Sequence, residues 1–408
     1  MTSCGNSCYT CTMSSSISVP PFHRTTFLWV LYLLLGVFSF MLTMIGPMVP
    51  YLQAEFHLDY TMVGLHQSAF AIGMVLTGLV ASRILRRFGI GLSLWAGMAA
   101  MLVGLTIMAI GQNSAFTLGG ILIMSIGGTA ALTAIQTTLA SNFPGRRGMV
   151  LMEANVCASI FTMLVPLVLL AGSLYFMGWR IVLPVMALVL LALASFGIPA
   201  TRKHLLDRNQ TADAGQGNLP RAYWRMWLVI FLGVSVEWSI GFWCMSYLLG
   251  LPGNSQAVAA FGTVFLGLAA VLGRFTSSRI ANIISERRLL LVILGLILVG
   301  FPAYWLRLNI PLTFAGLFFC GFGAASLYPL SLSLAAGRAP NTTAKASSWA
   351  TIAAGLAIGV APLALGRLAD LVSMQFALWY VPVGIGLILS ILAIDRAIKP
   401  IDMTGSGN

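Results

Sequence analysis

The chain has 408 residues, of which 59% are hydrophobic and only 8% charged, with a mean hydropathy of +0.93. Soluble domains carry about 25% charged residues; a chain this poor in charge cannot cover a water-facing surface, so lipid must solvate most of it. The net charge of +12 is spread through short loops, without the arginine-rich or aromatic–basic tracts of nucleic-acid binders, which excludes that class.

Residues 1–25 are polar and lack a short apolar core with a cleavage site, so no cleaved signal peptide is expected and the first span is read as an uncleaved anchor. Cys4, Cys8 and Cys11 have a C-x3-C-x2-C spacing. In a Ser/Thr-rich tail with no fourth ligand this is read as coincidence, and no metal or other cofactor is expected. A bilayer core of about 30 Å needs about 20 apolar helical residues to cross it. Twelve such runs follow in order: 26–51, 61–82, 89–111, 115–140, 148–172, 180–200, 225–250, 256–278, 288–307, 310–334, 344–366 and 374–396. Their separators are mostly short and polar, such as Gln112-Asn113-Ser114 and Gly253-Asn254-Ser255.

Orientation follows from the distribution of Lys and Arg, which concentrate in short cytoplasmic loops. With the N-terminus in the cytoplasm, 18 of the 22 basic residues fall on cytoplasmic segments and span ends. Arg180, Arg307 and Arg367 fall outside, and Arg274 lies within the eighth span. The longest polar interior stretch, 201–224, reads as a mobile cytoplasmic linker. The expected organisation is therefore a tail at 1–25, a six-helix bundle at 26–200, the linker, a second six-helix bundle at 225–399 and a tail at 400–408. The fold class is all-α transmembrane, twelve helices in two six-helix bundles with both termini cytoplasmic. Weak echoes relate the halves: Gly78 and Arg83 close the second span as Gly273 and Arg279 close the eighth, and Pro166 in the fifth matches Pro362 in the eleventh. Internal repeats of this kind are the usual build of secondary transporters.

After the second span the chain reads Gly78-Leu79-Val80-Ala81-Ser82-Arg83-Ile84-Leu85-Arg86-Arg87-Phe88-Gly89, and Phe143-Pro144-Gly145-Arg146-Arg147-Gly148 leads into the fifth. With two six-helix halves and a central linker, these loops resemble the major facilitator superfamily over nearly all of residues 26–399. Gly78, Arg83, Arg86 and Arg87 fit the family's loop signature; Ser82 stands where the family has an acid and Leu85 where it has a second glycine. The resemblance implies a cytoplasmic gate at Gly78, Ser82, Arg83, Arg86 and Arg87, with a latch lacking its usual carboxylate. It also implies a fold complete as a single chain.

Eight of the ten acidic residues fall in loops or near span ends; Glu237 and Glu153 lie within spans. A charge at mid-membrane costs on the order of 2.5–3.5 kcal/mol on insertion scales and normally faces a cavity or a partner. Glu237, halfway along the seventh span with Gly233, Ile240 and Gly241 leaving room beside it, reads as a protonatable transport site. The plainer alternative is a structural carboxyl bonded to another helix. Glu153 lies about one and a half turns into the fifth span and is expected to take part in coupling, or to snorkel or pair with Arg83 or Arg146. Gln136 and Asn155 are substrate-cavity candidates or interhelical glue. Arg274 reads as snorkelling to the cytoplasmic surface or, alternatively, as binding an anion or carboxylate, with Glu237 the first candidate. Trp238 and Trp349, with Trp243 and Tyr247, line a cavity or pack between helices. His66 reads as a neutral interfacial histidine. The runs Gly127-Gly128-Thr129-Ala130-Ala131 and Gly321-Phe322-Gly323-Ala324-Ala325-Ser326 read as close-packing signals.

No G-x4-G-K-[ST] phosphate loop is present. The histidines and acids do not cluster as a membrane enzyme would need, so the protein is not expected to be an enzyme. The leading expectation is a secondary carrier moving a small solute by alternating access, as a proton-coupled symporter of a small polar metabolite in a bacterial inner membrane. Its partners are the solute, protons and lipid, and it acts as a monomer. Proton-driven efflux of a drug or metabolite is the alternative: the fifth span has Pro166 but lacks the glycines typical of that branch.

Overall fold

The computed structural model describes residues 24–143, 147–175, 177–202, 218–251, 253–281, 283–339 and 342–397, and among these all regular structure is helical. The cysteine tail, Arg146, most of the linker and the C-terminal tail lie outside the described residues. The first span is α1 (Thr26–Thr43) and α2 (Ile45–Phe56); α3 (Tyr60–Phe88), α4 (Ile90–Ile110), α5 (Ser114–Asn142) and α6 (Arg147–Leu174) are the second to fifth. The sixth joins a short 3-10 turn (Gly178–Ile181) to α7 (Val182–Arg202). In the second half come α8 (Arg221–Leu249), α9 (Gln256–Ile280) and α10 (Glu286–Leu306), then a tenth span divided into α11 (Ile310–Ala324) and α12 (Leu327–Gly337). The eleventh span is α13 (Thr343–Leu371), and the twelfth joins α14 (Met374–Ala377) to α15 (Tyr380–Ala397).

Among the described residues twelve helical segments are long and apolar enough to cross a membrane. The largest departures from the sequence reading are the first and eleventh spans, which run on to Phe56 and Leu371, and the seventh, which begins at Arg221. Arg221 directly follows Pro220, which sits at the N-cap with φ −63°, a position where proline's fixed φ and missing N–H suit a helix start.

Polar residues in the tight loops start the second, fourth, eighth, tenth and twelfth spans. Asp59, Asn113, Ser255, Asn309 and Ser373 each accept a bond from a backbone N–H of the first turn that follows. Such a cap is worth about 1 kcal/mol, and all five lie at one end of the molecule. At that end Glu55 accepts both Arg180 Nη1 at 2.7 Å and Nη2 at 2.6 Å, and Trp179 Nε1 at 2.8 Å, tying α2 to the start of the sixth span. Glycine sets the closest helix contacts, as the small-residue runs implied. A Cβ on Gly97 would lie 2.5 Å from the Gly127 carbonyl oxygen, and one on Gly120 2.5 Å from that of Gly104, so α4 and α5 touch backbone to backbone. Gly316 on α11 meets the Gly300 carbonyl of α10 at 2.6 Å in the same way, the counterpart in the second half.

The two bundles meet through α2 with α8, α3 with α13, and α6 with α9. Along α3 and α13 the fit loosens steadily. Gly64 would place a Cβ 2.8 Å from Leu363 Cα, and Ser68 Oγ donates to the Gly359 carbonyl at 2.7 Å. At Gly355 the nearest atom is 3.2 Å away, and Gly78 has nothing within 4 Å. At the tight end the Asp370 carboxylate, on α13, accepts the backbone N–H groups of Tyr60 at 2.9 Å and Thr61 at 2.7 Å, and the Thr61 hydroxyl at 2.5 Å. The bundles are therefore latched at the Tyr60–Asp370 end and splayed at the end carrying Arg83, Arg86 and Arg87.

Candidate functional site

The candidate site is the mid-span pair Glu237 and Arg274. Glu237 lies on the side of α8 that also carries Gly241, whose would-be Cβ has nothing within 4 Å, so open space adjoins the carboxylate. Gly233, one turn away, is instead backed by Leu327 Cβ at 3.3 Å. Arg274 on α9 extends across to α8, and its Nη2 donates to Glu237 Oε1 at 3.2 Å. Arg274 therefore does not snorkel: its guanidinium is held in the protein by three different helical segments. Nη1 donates to Ser159 Oγ of α6 at 3.1 Å, across the bundle interface, and Nε donates to the Ala325 carbonyl at 3.1 Å.

That carbonyl is available because the residue four positions on is Pro329, which has no N–H to donate and whose ring crowds the carbonyl one turn back. The tenth span accordingly breaks between α11 and α12, just after the run Gly321–Ser326, and the freed carbonyl serves the Arg274 guanidinium. Interrupted spans presenting backbone groups to a mid-membrane site are a recurring transporter device. The Arg274 side chain is 46% exposed and that of Glu237 23%. With α6, α8, α9 and the break around it, the exposed part of the guanidinium opens into the cleft between the bundles.

The other expected site residues are not gathered at this pair. Among the described residues Glu153 does not pair with Arg83, and Arg146 lies outside them. Arg24 grips it instead, Nη2 to Oε1 at 2.6 Å and Nε to Oε2 at 3.1 Å, and the Tyr32 hydroxyl donates to Oε2 at 2.9 Å. Arg24 was unsuspected because it lies 129 residues away in sequence, where no helical spacing relates the two. The Asn155 amide donates to the Leu151 carbonyl of its own helix at 2.8 Å, so it does not glue helices together. It lies one turn from Ser159, whose hydroxyl donates to the Asn155 carbonyl at 2.9 Å. Gln136 is exposed towards the splayed end of α5. Trp238, next to Glu237, is half-buried against the core. Trp349 lies near the splayed end of α13 in an aromatic group, its ring 5.2 Å from that of Trp224 and its carbonyl accepting Trp227 Nε1 at 2.8 Å.

Trp243 and Tyr247 are fully buried, Trp243 edge-on to Tyr60 and Tyr247 bonded to the Trp305 carbonyl at 2.6 Å, so they pack rather than line a cavity. His66 is buried, its ring nitrogens 2.7 Å from the Met62 carbonyl and 2.8 Å from Thr117 Oγ1. Arg83, Arg86 and Arg87 make no ion pair among the described residues, and Gly78 faces open space. A second charge cluster escaped the sequence reading. Asp395 accepts Arg225 Nη2 at 2.9 Å and Arg338 Nη2 at 2.5 Å, with Arg287 Nη1 at 3.9 Å, and its side chain is 1% exposed. A near-terminal acid followed by arginine gave no signal for it.

Comparison with known proteins agrees with this architecture. The sequence profile of the Major Facilitator Superfamily matches residues 31–362. An uncharacterized transporter of Bacillus subtilis (strain 168), YycB, is 22% identical over 358 residues, covering 84% of this chain and 85% of that protein. A bacterial homologue of the human lysosomal transporter Spinster, solved inward-facing and unoccupied, superposes with a TM-score of 0.68 at 15% identity, covering 92% of this chain and 95% of the other. The transporter FucP in its outward conformation superposes with a TM-score of 0.62 at 14% identity, covering 90% and 98%. Its E. coli form is described as a fucose:proton symporter. Twelve membrane-crossing helices, a cleft between two bundles and a profile match over most of the length lead to one assignment: the chain belongs to the major facilitator superfamily of membrane transporters.

Proposed function

We propose that this transporter is a proton-coupled symporter of a small polar metabolite, working by alternating access in a bacterial inner membrane, with Glu237 binding the coupling proton. The observation that carries the reading is the mid-span Glu237–Arg274 pair, part-exposed in the cleft. An ionisable residue is kept at that depth against its insertion cost when it serves the transport path. Protonation of the carboxylate removes one half of the pair and releases the arginine. Proton binding is thereby linked to a contact joining α8, α9 and, through Ser159, the opposite bundle.

The loop arginines orient the splayed end towards the cytoplasm, so the conformation described reads as inward-open with the Tyr60–Asp370 end shut. Rocking of the bundles about the Glu237 level would open the other end. Likeness of fold to a fucose:proton symporter supports proton coupling. A single chain builds the whole cleft, which supports a monomeric working unit.

The test is proton movement in proteoliposomes loaded with a pH dye, challenged with pools of sugars, organic acids, amino acids and cationic drugs. A pool that drives protons inward with its solute in wild type, and not in Glu237→Gln, supports the reading. Proton flux opposite to the solute would replace symport by efflux antiport. Unchanged flux in Glu237→Gln would reduce the carboxylate to a structural role.

A further inference from the structure

We propose that the cargo is a small monovalent anion held by the Arg274 guanidinium and carried with one proton in an electroneutral one-to-one cycle. The inference rests on Glu237 being the proton site. A guanidinium has five N–H donors, and Arg274 uses three of them: towards Ala325, Ser159 and Glu237. Two remain on a side chain that is nearly half exposed to the cleft. The planar N–H groups of a guanidinium match a carboxylate or another flat oxyanion.

The contact with Glu237 is also built differently from the other pairs in which one arginine meets one carboxylate. Arg24 holds Glu153, and Arg180 holds Glu55, through two nitrogens each with a shortest distance of 2.6 Å. Arg274 reaches Glu237 through a single nitrogen at 3.2 Å, longer than the 2.7–2.9 Å usual for a charge-assisted bond. The pair is geometrically suited to exchange one carboxylate for another.

The charge balance then dictates coupling. Arg274 and ionised Glu237 sum to zero. An anion alone makes the site −1, a proton alone makes it +1, and both together return it to zero. An uncompensated charge enclosed in a low-dielectric site is strongly disfavoured, so the bundles close readily over the empty and the doubly loaded site. A neutral solute carried with a proton would leave Arg274 unbalanced. The charged groups elsewhere on the helices packed against α8 are Glu55, Arg279, Lys345, Arg367, Asp370, Asp395 and Arg396, and all seven sit near helix ends, away from mid-span Glu237. Arg274 is the charged group that meets it.

The test is thermal stabilisation of the purified full chain by sodium formate, acetate, lactate and benzoate, each beside its neutral amide. In wild type, a carboxylate should raise the melting temperature where its amide does not, and apparent affinity should fall as pH rises and Glu237 reclaims Arg274. In Glu237→Gln, affinity should be about tenfold or more tighter at neutral pH, within the ordinary range for coupled sites, and flat with pH. Arg274→Gln leaves Glu237 unpaired and is prone to misfold; the double variant Glu237→Gln, Arg274→Gln carries no unpaired charge and should fold and respond to no carboxylate. In proteoliposomes a stabilising carboxylate should enter on a pH gradient and ignore a potassium–valinomycin potential.

Equal stabilisation by amides, no response to any of the four anions, or retained binding in the double variant overturns the anion assignment. Uncharged solutes that drive proton flux through Glu237 would then leave the proton reading standing. Carboxylate binding through Arg274 that ignores both pH and Glu237→Gln removes the proton reading, and the one-to-one cycle with it.

Discussion

Removing the Asp370 carboxylate should open the latched end of the molecule. In the described conformation that carboxylate accepts three bonds from the first turn of α3, at 2.9, 2.7 and 2.5 Å. It is the negative group facing a helix N-terminus from the opposite bundle. Hydrogen bonds to a charged group contribute about 1.5–3 kcal/mol each when buried, and a charge at a helix end about 0.3–1 kcal/mol. Asp370 is exposed, so water competes for all three and the net contribution is reduced to about 1–2 kcal/mol. These bonds exist only while the Tyr60–Asp370 end is shut, so their loss falls wholly on that conformation. Since 1.4 kcal/mol is a factor of ten, Asp370→Ala should shift the ratio of the two conformations about tenfold towards the one open at that end. Asp370→Asn keeps an acceptor oxygen and should shift it less. Spin labels at Gln112 and Leu308, in loops of opposite bundles at the same end, would report the change as a longer distance component in pulsed dipolar spectroscopy. An unchanged distance distribution in Asp370→Ala, with the fold intact, would refute the assignment of Asp370 as a latch.

Other expectations follow from the same geometry. Asp395→Ala leaves Arg225, Arg338 and Arg287 facing one another around a buried hole; breaking such a cluster costs about 3–5 kcal/mol, so a large fall in melting temperature in detergent is expected. Glu153→Gln disturbs a part-exposed pair worth about 1 kcal/mol or less; it should leave proton flux in place and change stability little, in contrast to Glu237→Gln. Gly120→Ala puts a methyl 2.5 Å from the Gly104 carbonyl, and overpacking of this kind costs about 1–3 kcal/mol. Gly241→Ala, facing open space, should melt like wild type.

The exceptions to the charge rule show how local signals and tertiary partners divide the explanation. Arg180, Arg307 and Arg367 fell on the minority side of the distribution. In the structure Arg180 is clamped by Glu55, and the Arg307 guanidinium lies 4.6 Å over the Tyr247 ring. A basic residue held by a neighbour serves packing rather than topology, and nothing in its own loop announces that. Ser159 was likewise invisible: a serine in an apolar run is ordinary until an arginine 115 residues away donates to it.

Local apolar runs carry what the bilayer imposes on each segment. Span number and approximate span length follow from runs of apolar residues, because hydrocarbon thickness acts on each segment separately. The presence of a costly carboxylate at mid-span was legible for the same reason, and Arg274 could be named as one of its two destinations. Which destination it took, that Glu153 is held by Arg24, that Asp370 bridges the bundles, and that Arg274 takes the Ala325 carbonyl were decided only in three dimensions. Each of those contacts joins segments far apart in the chain, and the pairing of helix faces that creates them is a property of all twelve spans packed together.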